Sequence, residues 1–90
     1  MRVLKYTSQY RKDEKLMRKQ NKDMGKLDSV LLILMSGATV APEYDDHALI
    51  GVWKKSRELH IEPDWLLIYQ TYENGVLLER TGSHSELFKK

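Results

Sequence analysis

The sequence contains no cysteine and only two prolines, and its longest apolar run, residues 30–35, is six residues long. The lack of cysteine excludes disulfides, thiolate metal ligands and cysteine nucleophiles, and it fits a reducing compartment. A run of that length excludes a membrane-spanning helix, which needs about 20 apolar residues. The first residues also lack the apolar segment of a signal peptide. We therefore expect a cytoplasmic protein with no membrane partner.

The composition is typical of a folded chain whose charge is unevenly distributed. Hydrophobic residues make up 41% of the 90 residues and charged residues 31%, which predicts one globular domain over residues 1–90. The net charge is +2, but residues 1–40 hold nine Lys or Arg against four Asp or Glu, and residues 41–90 hold six against nine. The basic first half indicates a polyanionic or acidic partner.

Residue patterns in the first half predict one strand and two helices. Residues 1–6 favour a strand, and residues 8–20 favour a helix because they are rich in helix formers and follow the potential cap Thr7. Residues 26–35 carry apolar side chains at intervals of three and four, which is typical of a core helix. Residues 37–51 contain a proline and an acidic cluster, and we expect a long, functional loop there.

The second half predicts a meander of antiparallel strands. Alternating apolar and polar residues over 52–62 indicate a half-buried strand. Pro63 fits the tight turn that leads to a more buried strand at residues 66–69. Glu73, Asn74 and Gly75 fit a hairpin turn because Asn-Gly accepts positive φ values, and residues 76–80 then form the last strand.

The order of these elements predicts an α+β fold. The N-terminal strand and the three later strands make a small, about four-stranded, largely antiparallel sheet, and the two helices pack on one of its faces. The opposite face is expected to stay open. Residues 82–90 form a short, polar C-terminal tail.

The first predicted helix has one basic face. At about 100° per residue, four cations fall in one narrow stripe: Arg11, Lys15, Arg18 and Lys22. The stripe is either a solvated surface or a binding surface for RNA phosphates or an acidic partner.

All three histidines lie in the second half, where strand ends and loops meet. His47 lies in the predicted loop, His60 near the end of a predicted strand, and His84 after the last strand. Together with Asp64 they could share one cleft. Phosphodiester cleavage needs a base for the 2′-hydroxyl proton and an acid for the leaving 5′ oxygen, and imidazole can serve as either near neutrality.

Further side chains in this half suit contact with RNA. Arg57, Lys54 and Arg80 are candidates for phosphate contact because cations stabilise a phosphorane and a guanidinium can bind two phosphate oxygens. Trp65 and Phe88 are candidates for stacking on bases.

Each of these features also has a purely structural interpretation. Asp64 fits a plain turn, Trp65 and Phe88 are more often core anchors, and a lone histidine such as His47 is usually a surface residue. A zinc site built from the histidines and Asp64 lacks a compact motif such as HExxH. Serine-based catalysis lacks a nucleophile elbow.

Several blocks of the sequence nevertheless resemble one family. The chain resembles the YafQ branch of the RelE/ParE toxin superfamily in the order and spacing of YTSQYRKDEKL, KDMGKL, DHALIGVWK, RELHIEPDWLLIY and RTGSHSELF. The resemblance spans nearly all of the chain and implies a RelE-like fold.

The resemblance implies a toxin of a type II toxin–antitoxin pair, an endoribonuclease that cuts messenger RNA in the ribosomal A site. Its reaction would be attack of a 2′-hydroxyl on the adjacent phosphate, with no cofactor and no metal. The expected partners are a DinJ/RelB-like antitoxin, the 70S ribosome with its mRNA, and operator DNA through the antitoxin complex. The basic stripe would then contact ribosomal RNA or the antitoxin.

The resemblance also implies roles for particular residues. Four residues match catalytic positions of the family: His47, His60, Asp64 and His84. Of these, His84 is the expected general acid, and His60 or Asp64 is the expected base. Trp65 and Phe88 match positions tied to substrate contact, and Glu58 matches an acidic position beside the same site.

One segment departs from the family pattern. Many members read WKGYRE or WKGYRD where residues 53–58 of this chain read WKKSRE, so Lys55 and Ser56 replace a glycine and an aromatic residue. The replacement puts strand packing and codon preference in question. A second hypothesis, independent of this replacement, is a non-catalytic superfamily member that acts on a target such as gyrase or only co-represses its operon with the antitoxin.

Overall fold

The chain folds into one strand, two helices, four further strands and a short final helix, in that order. The structure is a computed structural model that describes residues 2–88, apart from the side chain of Val52. Within these residues the strands are β1 Val3–Tyr6, β2 His47–Ala48, β3 Arg57–Glu62, β4 Trp65–Tyr72 and β5 Gly75–Gly82. The helices are α1 Ser8–Lys19, α2 Met24–Ser36 and α3 His84–Leu87, with 3₁₀ turns at Pro42–Tyr44 and Gly51–Trp53.

The strands form one mixed sheet in the order β1-β5-β4-β3-β2. Only the β1–β5 pair is parallel among the described strands, so the predicted α+β class with a largely antiparallel sheet is confirmed. The sheet has a fifth strand, β2, inside residues 37–51, which were expected to form only a loop. Two residues are too few to show an alternating pattern in the sequence.

The predicted packing of α1 and α2 on one face of the sheet is confirmed. Both helices begin at a side-chain cap: Thr7 Oγ1 accepts from the backbone N–H of Tyr10 at 2.9 Å, and Asp23 Oδ1 accepts from that of Gly25 at 3.1 Å. The buried residues between helices and sheet are Tyr10, Met17, Leu27, Val30, Leu34, Leu59, Ile61, Trp65, Leu67, Tyr69, Val76 and Leu78.

The opposite face of the sheet is also covered, so the expectation that it stays open is wrong. A second cluster buries Leu66, Ile68 and Leu87, with Leu49, Trp53 and Phe88 packed against it. The cover comes from residues 49–53 and from α3, which lies in the predicted tail. A strand that is buried on both faces reads as a continuous apolar run, and residues 66–68 do so.

The strand predicted over residues 52–62 begins only at Arg57. A 3₁₀ turn takes up Gly51–Trp53, so Trp53 packs in the second cluster and not beside Leu59 and Ile61. Met1 and residues 89–90 of the predicted tail lie outside the described residues. In the described part of the chain, no helix has the length and apolar character needed to cross a membrane.

Both predicted hairpin turns are present. Pro63 and Asp64 connect β3 to β4, and Glu73 and Asn74 connect β4 to β5. The second turn does not have the positive φ values predicted for Asn74 and Gly75. An added Cβ at Gly75 would instead meet the end of the exposed Tyr72 ring, so a larger residue there would require this side chain to move.

Candidate active site

Elements that are distant in the sequence bring the three histidines to one place. His47 lies on β2, His60 on β3, and His84 is the first residue of α3. The ring centroids of His47 and His60 are 6.1 Å apart, and those of His60 and His84 are 5.7 Å apart. The three imidazoles therefore form one cluster with His60 between the other two.

Glu58 faces two of these rings. The sheet register pairs Glu58 with His47, and His60 joins them because side chains two residues apart on a strand share a face. Glu58 Oε2 lies 3.1 Å from His47 Nε2 and 3.9 Å from His60 Nε2. Since Glu58 is only 5% exposed, its carboxylate is fixed where it can orient both imidazoles.

His60 is the least exposed of the three histidines. Its side chain is 18% exposed, against 44% for His47 and 53% for His84. Its Nδ1 atom is buried and makes no hydrogen bond within the described residues; Asp45 Oδ2 lies 3.6 Å away. Buried polar atoms without partners are rare, and a catalytic role is one accepted reason for them.

Asp64 holds His84 at two points. Asp64 Oδ1 accepts a hydrogen bond from the backbone N–H of His84 at 3.0 Å and lies 2.7 Å from the ring Nδ1. The backbone hydrogen bond, and after it the ring contact, lowers the pKa of the Asp64 carboxyl below its usual range. Asp64 is therefore ionised at neutral pH, and its contact with Nδ1 leaves Nε2 of His84 free for a substrate.

Gly82 turns the chain from β5 into α3. Leu66 pairs with Gly82, so the turn that carries Asp64 lies beside the start of α3. Gly82 has a φ of +155°, and an added Cβ would lie 3.1 Å from Glu86 Oε1. Another residue here would be strained.

A capping box holds the short helix α3. Ser83 Oγ accepts from the backbone N–H of Glu86 at 3.2 Å, and Glu86 Oε1 accepts from that of Ser83 at 2.8 Å. Gln20 Nε2 donates to Glu86 Oε2 at 3.1 Å, which ties α3 to the end of α1. The Ser83 backbone contact lowers the pKa of the Glu86 carboxyl, so the cap is charged at neutral pH.

Asp46 anchors the segment that carries His47, and this role was missed in the sequence. Arg57 Nε donates to Asp46 Oδ1 at 2.7 Å, and the Tyr69 hydroxyl donates to Asp46 Oδ2. Arg57 alternates with Glu58, so it leaves β3 on the face opposite His60. Its guanidinium holds Asp46, and contact of the 43% exposed Arg57 side chain with phosphate remains a prediction. The acidic cluster ahead of His47 was the available sequence signal.

Trp65 is a core residue. Its side chain is 0% exposed, and its Nε1 donates to Thr81 Oγ1 at 2.9 Å. The predicted stacking of Trp65 on RNA bases is therefore wrong, because a buried ring offers no free face. The structural interpretation, a core anchor, holds for this residue.

Arg80 is also used inside the fold. Its Nε donates to Asp13 Oδ2 at 2.7 Å and its second donor reaches Oδ1 at 3.2 Å, while Asp13 is only 7% exposed. The backbone N–H of Thr81 donates to the same carboxylate at 3.1 Å. This bidentate pair fastens α1 to β5, and contact of Arg80 with phosphate remains a prediction.

Lys54 and Phe88 keep surface that a ligand can reach. Phe88 is half-buried and meets Trp53 edge to face, with ring centroids 6.5 Å apart. Lys54 is exposed and lines a cleft with Ser56 and Glu79. Contact of Phe88 and Lys54 with RNA remains a prediction.

The basic stripe is shorter than predicted. α1 ends at Lys19, and Asn21 adopts a left-handed conformation with φ of 59°, so Lys22 leaves the helix. Lys22 Nζ then lies 3.8 Å from Glu62 Oε1, and its assignment to the stripe is wrong. Arg11, Lys15 and Arg18 remain exposed on α1, and their contact with the ribosome stays a prediction.

A group that could hold a metal ion lies within the cluster. Glu58, His60 and His84 each offer one ligand atom, and these atoms lie within 4.8 Å of one another. Two imidazole nitrogens and a carboxylate oxygen suit zinc or copper. The three residues come from two different elements, which explains why no compact metal motif appears in the sequence.

Comparisons with known proteins agree on one family. The family model for YafQ, a bacterial toxin of a type II toxin-antitoxin system, matches residues 2–89. The chain is 44% identical over 88 residues to the mRNA interferase toxin YafQ of Escherichia coli K12, covering 97% of this chain and 96% of that protein. The E. coli DinJ–YafQ complex matches with a TM-score of 0.91 and 40% identity, over 98% and 99% of the chains. A copper-bound mutant toxin from Helicobacter pylori matches with a TM-score of 0.93 and 39% identity, over 98% and 100%.

Proposed function

The chain belongs to the YafQ family of bacterial type II toxins, and from this premise we propose that it is an mRNA interferase whose imidazole cluster cleaves RNA by acid–base catalysis. One observation carries the proposal: His84 is held by Asp64 at 2.7 Å, next to a second histidine whose buried Nδ1 makes no hydrogen bond within the described residues.

His84 acts as the general acid. In its protonated form the ring donates from Nδ1 to Asp64 and keeps a second proton on Nε2. Nε2 gives this proton to the 5′ oxygen as the bond from phosphorus to that oxygen breaks. Asp64 acts through His84 by fixing the ring, and it stabilises the imidazolium without taking the proton.

His60 acts as the base, because Asp64 is engaged with His84. It accepts the proton of the 2′-hydroxyl while the 2′ oxygen attacks the adjacent phosphorus, which leaves a 2′,3′-cyclic phosphate and a 5′-hydroxyl end. A nitrogen of His60 lies within 4.8 Å of one of His84, so both can reach oxygens of one phosphate. Glu58 and His47 orient His60 and add charge beside the site.

No step of this reaction calls for a metal, although the site fits one. The copper-bound relative shows that toxins of this fold can be metal-bound. In this chain Glu58, His60 and His84 would hold the ion, which would supply Lewis acidity. Metal and proton compete for the same imidazole nitrogens, so a bound ion would remove the acid and the base together.

The partners follow from the family and the charge distribution. A DinJ-like antitoxin is the expected inhibitor, because the E. coli relative forms a complex with DinJ. The message is cut in the A site of the 70S ribosome in the cytoplasm, with Arg11, Lys15 and Arg18 contacting ribosomal RNA. Operator DNA is bound only through the antitoxin, and the complex represses its own operon.

Expression of the wild type and of His84→Ala, followed by mapping of message 5′ ends on translating ribosomes, tests the proposal. We expect the variant to lose cleavage by about 10² to 10⁴, the contribution of a general acid. Ser85→Ala, an exposed change on the same helix, is the matched control and should cleave normally. Equal growth arrest by the wild type and His84→Ala would favour the non-catalytic, gyrase-directed or co-repressor alternative.

A further inference from the structure

Lys22 lies in the short segment between α1 and α2, and its backbone is fixed. α1 ends in a Schellman motif, in which the backbone N–H of Asn21 donates to Arg18 O at 3.0 Å and that of Lys22 donates to Met17 O at 3.1 Å. Asn21 adopts the left-handed conformation that this motif needs, with φ of 59°. The side chain of Lys22 therefore leaves the chain from a set position.

The ammonium group of Lys22 lies beside the turn that connects β3 to β4. Its Nζ is 5.9 Å from the centre of the Trp65 ring and 3.8 Å from Glu62 Oε1. A cation over the face of a tryptophan is attracted by the ring. Glu62 lines a cavity of about 300 Å³ together with His60. The ammonium group is therefore close to the side of the cluster that holds the proposed base.

The charge of Lys22 also acts on the side of the cluster that holds the proposed acid. The hydrogen bond from the His84 backbone is the main cause of the lowered pKa of Asp64, and Lys22 lowers that pKa further. The pKa of Glu86 is lowered mainly by the Ser83 backbone contact, and Lys22 again adds to the effect. Since the influence of a charge fades with distance, the ammonium group lies near both carboxylates. One of them contacts His84, and the other lies on the same helix as His84.

Lys22 makes a looser ion pair than the two arginines that the sequence suggested for phosphate contact. The Nε atoms of Arg57 and Arg80 each lie 2.7 Å from a carboxylate oxygen. Lys22 Nζ lies 3.8 Å from Glu62, which Lys26 contacts at 3.0 Å. The longer distance is not that of a hydrogen bond, and the Lys22 side chain is 31% exposed. An incoming phosphate oxygen can therefore replace this contact.

We propose that Lys22 binds the scissile phosphate and stabilises the negative charge that its oxygens gain when the 2′ oxygen attacks. As His60 removes the 2′ proton, the phosphodiester becomes a five-coordinate intermediate with one more negative charge. The carboxylates of Glu58 and Asp64 make this charge costly, so a cation already in place lowers the barrier. The ammonium group keeps its protons, and the roles of His60 and His84 are unchanged. This inference rests on the proposed function, which supplies the RNA and the reaction.

Single-turnover cleavage of a message on programmed ribosomes by Lys22→Met tests the inference. We expect the rate to fall by about 10²-fold, as is typical when one group that stabilises a developing charge is lost. The half-saturating toxin concentration should not change, because the lost contact strengthens in the transition state. Lys22→Arg should keep most of the rate, since it keeps the charge. Lys26→Met is the matched control, because it removes the closer partner of Glu62, and it should cleave normally.

The absence of cysteine from the sequence allows a rescue experiment. Lys22→Cys introduces a single thiol, and its aminoethylation with bromoethylamine restores an ammonium group at about the length of a lysine side chain. We expect aminoethylation to restore the rate. Carbamidomethylation with iodoacetamide adds a neutral group and should leave the rate low. Because one protein sample is compared before and after modification, a recovered rate shows that the variant is folded.

Cleavage by Lys22→Met at the wild-type rate would overturn the proposal. An equal loss in Lys26→Met would also overturn it, because pairing with Glu62 alone would then explain the effect. A higher half-saturating concentration with an unchanged rate would make Lys22 a ribosome contact, which is again contrary to the proposal. If Lys22→Met does not fold, the modified and unmodified Lys22→Cys protein decides. Cleavage by the wild type tests the nuclease, and the ratio of variant to wild type tests Lys22, so the two failures are distinguishable.

Discussion

Asp64 and His84 are twenty positions apart in the sequence, yet one oxygen of Asp64 contacts both the backbone N–H and the ring of His84. The backbone contact fixes the start of α3, and the ring contact fixes the imidazole. A single carboxylate thus sets the position and the rotation of the proposed acid.

Asp64→Asn should slow cleavage by about 10-fold to 100-fold, which is less than the loss of the acid itself. The amide can still accept from the backbone, but it lacks the charge that stabilises the imidazolium. A single-turnover rate on programmed ribosomes, measured across pH, checks this. Because Asp64 positions His84 and does not bind RNA, the part of the pH–rate profile that depends on the general acid should shift while KM stays constant. A change in KM alone would contradict a positioning role for Asp64.

The lowered pKa of Asp64 sets the direction of a pH effect on stability. A carboxyl whose pKa is lower in the folded state stabilises the fold above its unfolded pKa of about 3.9. This contribution is lost as the pH falls through the lower, folded value. We expect acid unfolding, followed by circular dichroism, to become less steep in Asp64→Asn between about pH 4 and pH 2. An identical acid profile would refute the link.

The contacts of Asp46 predict that Arg57 and Tyr69 stabilise the fold and hold the His47 segment. Tyr69→Phe leaves Asp46 without a buried partner and should cost about 1 to 3 kcal/mol in the free energy of unfolding. Arg57→Ala should cost about 1 kcal/mol, since the Arg57 side chain is 43% exposed. Urea unfolding measures both. A raised KM with unchanged stability in Arg57→Ala would support the phosphate-contact interpretation.

Metal should inhibit the reaction. Treatment of the purified toxin with EDTA, with the chelator removed before ribosomes and Mg²⁺ are added, should leave the cleavage of a ribosome-bound message unchanged, because the proposed acid and base are side chains. Added Cu²⁺ should lower the rate as it occupies His60 and His84, and the inhibition should weaken at lower pH because protons compete for the imidazoles. If EDTA treatment abolished activity and added Zn²⁺ restored it, the metal-independent mechanism would be wrong.

The basic surface of α1 should steer the protein to the ribosome. Reversal of Arg11, Lys15 and Arg18 to Glu should lower ribosome affinity and reduce its dependence on salt, because fewer counterions are released. The fold should remain, since all three side chains are exposed. Reversal of Lys5, an exposed cation on β1, serves as the control. Binding that is unchanged by the triple reversal would exclude steering by this surface.

Local patterns in the sequence were enough for α1, α2 and the turn between β3 and β4. The cap at Thr7, the apolar spacing in α2 and the proline turn before β4 each depend on neighbours within a few residues, and each is present in the structure. The convergence of the histidines was also expected, because strand ends and loops meet at sheet edges.

Features that depend on contacts between distant segments were missed. β2 exists only because β3 pairs with it, and α3 covers a sheet face that looked free. The partners of Arg57 and Arg80 lie on other elements, so the sequence showed two available cations where the structure has two engaged ones. Ion pairs between distant segments cannot be predicted from a local sequence pattern.

The strand order has a consequence for how the chain folds. β5 lies between β4 and β1, so the first strand to be synthesised has its hydrogen-bonding partner in the last one. A contact this long in sequence forms late, because the entropy of closing the loop must be overcome first. The sheet and the site that contains His84 are therefore completed together. While β5 is still inside the ribosome, the nascent chain has neither the complete sheet nor the site.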